Sequence, residues 1–91
     1  MARKALGVKN RRRIQNRAFR LRLWKRHPFC VYCRCHLPDF LQTSLDHAMP
    51  KSRGGSNRWS NLVLACMTCN STKSDMTAEE FMGWMESHQT G

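Results

Sequence analysis

Residues 45–73 read LDHAMPKSRGGSNRWSNLVLACMTCNSTK, and the organisation of the chain follows from how this stretch divides. Two apolar runs flank a polar loop. The first runs from about Leu41 to Asp46-His47. The second, NLVLAC, is a short apolar run of the buried-strand type. Between them, from Pro50 to Ser60, Gly54-Gly55 offers backbone angles closed to other residues. Two strands joined by a loop are therefore expected, followed by a short helix in CMTCNSTK that carries Asn70 and Lys73. Neighbours on a strand point to opposite faces, so Asp46 and His47 have separate work rather than a bond to each other. Both are expected where the strand ends and twists.

The pair Cys66-x2-Cys69 inside this stretch has a counterpart upstream in Cys30-x2-Cys33. Two intervening residues let one tight turn aim both thiolates at one ion, and two such turns complete a tetrahedron. Structural zinc is the expected occupant, ahead of disulfides or redox chemistry. Four sulfurs leave zinc no open position, so this metal would hold structure and do no chemistry. Cys35 could replace Cys33 as a ligand; otherwise it is a spare thiol near the site. Cys33-Arg34-Cys35-His36 falls one residue short of the C-x-x-C-H pattern of haem attachment.

Ninety-one residues make one small domain with little interior, the size at which a metal staple is commonly needed. No apolar run approaches a membrane span, and no hydrophobic segment follows the basic N-terminus as a secretory signal would require. A reducing, cytoplasmic location is expected, where paired cysteines usually bind metal. The formal charge is +10, and eleven of the 16 Lys and Arg residues lie between Arg3 and Arg26 with no acid among them. A zinc ion on four thiolates would leave the chain strongly basic. Such asymmetry indicates a polyanionic partner, most often nucleic acid.

Outside the central stretch, residues 1–13 have little periodicity and suggest a basic arm. Ile14, Ala18, Leu21 and Leu23 fall near helical spacing, broadened by Phe19 and Trp24, and predict a helix to about Arg26. His27-Pro28 would end it. At the other end, Thr77 and Glu80 form a T-x-x-E capping box, with Met76 and Phe81 as hydrophobic staple. Phe81, Trp84, Met85 and His88 then share one helical face, expected to pack rather than to bind a cofactor. Two units follow: residues 1–26 as basic arm and helix, and residues 27–91 as the metal-stapled domain with its C-terminal helix.

Asp46-His47, then Asn61 and Asn70, framed by two C-x2-C pairs, resemble an HNH endonuclease of the ββα-metal, or His-Me finger, type. The resemblance covers Pro50, the Gly-Gly loop, Asn61-Leu62, Cys69-Asn70 and Lys73, and extends over roughly residues 30–75. It implies a small α+β fold in which a hairpin and a crossing helix grip one divalent ion, with four cysteines holding the unit together. It also implies that His47 is the general base, that Asp46 and Asn70 hold the catalytic metal, and that Asn61 fixes the loop around His47. The third motif position is often His but here is Asn70, an H-N-N variant. The implied products of hydrolysis are 5′-phosphate and 3′-hydroxyl ends.

The residue chemistry agrees independently. Phosphodiester hydrolysis needs a base for water and a cation for the charge at phosphorus. Imidazoles ordinarily titrate near ~6.5 and serve as bases at cellular pH. A carboxylate and an amide oxygen are hard ligands suited to Mg²⁺ or Mn²⁺. Arg11, Arg12, Arg13, Arg17, Arg20, Lys51, Arg53, Arg58 and Lys73 are candidate phosphate contacts. The expected substrate is DNA, double-stranded by preference, with structured RNA left open. One site on one small domain implies nicking unless the chain dimerises; a monomer is favoured, and a larger phage or mobile-element assembly stays open. Two readings of another class remain: a zinc-knuckle module that binds nucleic acid and cuts nothing, and a protein-interaction zinc domain.

Overall fold

The computed structural model describes residues 16–88. Arg11, Arg12, Arg13 and the start of the expected first helix lie outside the described residues. Strand β1 spans Thr43–His47 and strand β2 spans Leu62–Cys66, paired antiparallel in a register that sets His47 opposite Leu62 and Thr43 opposite Cys66. β1 begins later than the apolar run suggested. Asp39 accepts a hydrogen bond from the Leu41 amide and starts a 3-10 turn over Phe40–Gln42, which takes Leu41 and Gln42 out of the strand.

The loop between the strands is folded on itself rather than open. A 3-10 turn at Lys51–Arg53 ends in Gly54, whose φ of 94° is the left-handed region that favours glycine. At Gly55 any β-carbon would lie 1.7 Å from the Met49 carbonyl oxygen, so only glycine lets the loop close on Met49. A second 3-10 turn, Trp59–Asn61, delivers the chain into β2.

Helix α1 occupies residues 16–26, α2 Met67–Lys73 and α3 Ala78–Ser87. Cys66 caps α2 by accepting a hydrogen bond on its sulfur from the Cys69 amide. The expected capping box is present in α3: the Thr77 hydroxyl accepts from the Glu80 amide and the Glu80 carboxylate accepts from the Thr77 amide. No described helix is long and apolar enough to cross a membrane.

β1 alternates between two helices. Ser44 and Asp46 meet α2, while Thr43 faces α1 through the Arg20 guanidinium, and Leu45 and His47 border a cleft with Arg17. α1 packs through Phe19, Leu23 and Trp24, whereas Ala18 is exposed. The buried stripe is thus rotated from the Ala18-Leu21 face, because the larger side chains remove more apolar surface from water. Trp24 also satisfies its indole N–H by donating to the Leu37 carbonyl at 2.7 Å. The core is small: Cys30, Tyr32, Leu37, Leu64, Ala65, Cys69 and Phe81, with Tyr32 edge-on to Phe81 at 5.2 Å. Two of its members are metal-site cysteines, so the staple and the core are one structure.

Candidate active site

His47 ends β1 half-buried and borders clefts on both sides of the hairpin. Its Nε2 lies 2.8 Å from Asn57 Oδ1. An amide oxygen can only accept, so Nε2 donates and the lone pair stays on Nδ1. Asn57 had no signal in the sequence beyond being a second asparagine in the loop.

Asn61 closes that loop from its far end. Its Nδ2 donates to the Met49 carbonyl at 3.0 Å and the Ser56 carbonyl at 2.8 Å, and its Oδ1 accepts from the Met49 amide at 2.8 Å. Its backbone carbonyl accepts from the Ala48 amide. One side chain therefore ties residues 49 and 56 together directly after His47.

Asp46 points to the opposite side of the strand and is buried. Its Oδ2 accepts from the Tyr32 hydroxyl at 2.6 Å and lies 3.0 Å from the Lys73 ammonium. Burial, then hydrogen bonding to Asp46, pushes the Tyr32 hydroxyl well above its ordinary range, so it stays a donor. Lys73 Nζ also donates to the His47 carbonyl at 2.9 Å. Lys73 is 0% exposed, which corrects its assignment as a phosphate contact: its charge is spent inside the protein.

Asn70, on α2, donates from Nδ2 to Ser44 Oγ at 3.1 Å, and Ser44 donates on to the Ala65 carbonyl. The amide oxygen is what Asn70 has left to offer a cation. Asp46 and Asn70 thus reach the same face of β1. Their oxygens suit a hard divalent ion in kind. One Asp46 oxygen is already engaged, so most of such an ion's shell would have to come from water and substrate.

The sulfurs of Cys30, Cys33, Cys66 and Cys69 lie within 4.8 Å of one another, and Cys33 and Cys66 are 3.9 Å apart. A tetrahedron with metal–sulfur bonds of about 2.3 Å has edges of about 3.8 Å. Burial, then the neighbouring sulfurs, push the Cys69 thiol well above the usual thiol range. Thiolates this close need a cation among them. The Val31 amide ties the first knuckle to β2 through the Leu64 carbonyl at 2.9 Å. Cys35 is exposed and outside the cluster.

The remaining basic residues divide. Arg20 donates from one nitrogen to the Phe40 carbonyl and to Thr43, and stacks over the Phe40 ring, so it joins α1 to β1 instead of facing solvent. Arg53 pairs with Glu80. Arg17, Lys51 and Arg58 are exposed. Arg17 and Lys51 border the His47 clefts.

Residues 30–76, just over half of the chain, match the family model described as HNH endonuclease. No curated protein matches the chain.

Proposed function

Because the chain belongs to the HNH endonuclease family, we propose that it is a metal-dependent DNA endonuclease that leaves 5′-phosphate and 3′-hydroxyl ends. The observation that carries this reading is the environment of His47. It is oriented by Asn57, braced by the Asn61-tied loop and open to clefts on either side.

In this reading Nδ1 of His47 takes the proton of the attacking water, while the Nε2–H···Oδ1 bond to Asn57 holds the ring in plane. Asp46 and Asn70 would hold Mg²⁺ or Mn²⁺, which supplies charge neutralisation at the scissile phosphate. Asn61 keeps the strand end and loop in register, so that the base on one face and the ligands on the other stay fixed relative to each other. Lys73 and Tyr32 hold Asp46 in one rotamer. The four cysteines hold zinc as a structural ion. A single site of this kind nicks one DNA strand, with cations such as Arg17, Lys51 and Arg58 contributing phosphate contacts.

A second reading is favoured by one observation: the Asp46 carboxylate already has an internal cation in Lys73. A domain that binds DNA through its basic surface and cuts nothing would need no further charge there. Incubation of the purified protein with supercoiled plasmid, with Mg²⁺ or with chelator, separates the two. Nicked circles that depend on Mg²⁺ and vanish in His47→Ala are expected. Plasmid that is retarded but stays supercoiled at every metal concentration selects the binding module.

A further inference from the structure

Trp59 is the large aromatic side chain of the loop, and it is 55% exposed although it makes a close stack. One face lies on Phe19 of α1, ring centroids 4.7 Å apart and planes within 12°. Phe19 itself is only 8% exposed, so this face is covered and the exposure belongs to the other face and the edges. The backbone beneath it is fixed. Trp59 opens the 3-10 turn that ends in Asn61, and its carbonyl accepts from the Leu62 amide. Arg22, one turn along α1 from Phe19, places its guanidinium over the same indole, 5.4 Å from the ring centroid, so a base that stacks on Trp59 shares or displaces this cation–π contact.

The indole forms one wall of a groove of about 710 Å³ that also contains His47, Asn57, Lys51 and Arg22, and no carboxylate lines it. The stack on Phe19 covers one face of the indole and leaves more than half of the residue to solvent. Trp59 presents a flat, buttressed π-face beside cations and the candidate base. Nucleobases offer free faces only when unstacked, because a duplex keeps them against their neighbours. Aromatic faces in a cationic groove are the recognition chemistry of unpaired strands.

We propose that Trp59 is a stacking platform for an unpaired nucleobase, so that the DNA strand in the His47 groove is single-stranded beside the scissile phosphate. This deepens the nuclease reading and rests on it for the bond that is cut. The preferred substrate is then DNA with a gap, flap or bubble at the cleavage position, in place of an uninterrupted duplex.

The test measures binding by fluorescence anisotropy in the His47→Ala background, so that cleavage does not interfere. Probes are a labelled single strand and a blunt duplex of the same sequence at fixed salt. Adding Trp59→Ala should weaken single-strand binding on the order of tenfold, with duplex binding changed less than about twofold. Trp59→Phe should retain most of the affinity. A 2-aminopurine in the single strand should be quenched on binding when Trp59 is present and not when it is Ala. If Trp59→Ala melts early, Trp59→Leu refills the space over Phe19 without a π-face, and the same loss is expected from it. Equal losses on both probes, or no loss on either, overturn the platform. The nuclease reading fails separately: a wild-type chain that stacks the single strand yet cuts nothing with Mg²⁺ sinks that reading alone.

Discussion

Lys73 shows what burial does to a charge that the sequence presents as a surface cation. Its ammonium lies between Asp46 Oδ2 and the His47 carbonyl with no solvent exposure. Removing one partner of a buried pair leaves the other charge uncompensated, at a cost of about 3–5 kcal/mol. Lys73→Ala should therefore lower stability by that order, read as a reduced denaturant midpoint. A folded variant of normal stability with weakened DNA binding would return Lys73 to the phosphate contacts. Asn57 acts on the other face of the strand. Asn57→Ala should lower kcat about tenfold while DNA affinity holds, well short of the ~10²–10⁴ lost with the base itself. Asn57→Asp keeps an acceptor for Nε2 and should recover most of the rate. A kcat in Asn57→Ala equal to wild type would remove its role in orienting His47.

At the scale of elements, the loop and the C-terminal helix are joined by charge as well as by chain. Arg53, in the 3-10 turn after Pro50, pairs with Glu80 at the start of α3. That hydrogen bond, then the Thr77 amide, holds the Glu80 carboxyl below its usual range. The sign follows from the depressed value. The contribution is complete above the unfolded carboxylate pKa of ~4.3 and is lost as pH falls through the lower folded value. Both groups face solvent, so the effect is modest and screened by salt. Glu80→Gln keeps a capping acceptor but no charge. Thermal melting should find wild type more stable than Glu80→Gln at pH 7, with the difference closing towards pH 3. A difference that persists at pH 3 would show that the charge is not what acts.

For the molecule as a whole, the four-cysteine site and the core are one structure. Structural zinc contributes on the order of 10 kcal/mol or more, comparable to the full stability of a small domain. Two of the four clustered cysteines, Cys30 and Cys69, belong to the core, so metal and packing should be lost together. Chelation should unfold the chain in one transition, with loss of near-ultraviolet circular dichroism; a chelated chain that keeps its tertiary signal would sever that link. The basic residues divide differently. Phe19, Leu23 and Trp24 make α1 part of the fold, so a deletion that tests electrostatics must stop before it. Residues 1–13 carry Arg3, Lys4, Lys9, Arg11, Arg12 and Arg13. If about five of these reach phosphates, their deletion should flatten the log–log salt dependence of DNA binding by ~4 to 5 units. An unchanged slope would assign the affinity to residues beyond Arg13.

Local chemistry made much of this protein legible in one dimension. The cysteine spacing, the glycine pair, the T-x-x-E box and the order of strand, loop, strand and helix all depend on residues within a few positions of one another. Such short-range rules act before tertiary structure forms, which is why the two strands, α2, the cap of α3 and each cysteine knuckle could be read from spacing, whereas the hairpin came from the family resemblance. The beginning of β1 could not, because the Asp39 cap competes with strand formation on equal local terms. What only the tertiary structure decided are meetings across long separations: Lys73 with Asp46, Arg20 with Thr43, His47 with Asn57, Phe19 with Trp59. A lysine reads the same in sequence whether it faces solvent or a buried carboxylate. The difference lies in which faces of β1 the two helices cover, and that is settled by the packing of α1 and α2 against the sheet.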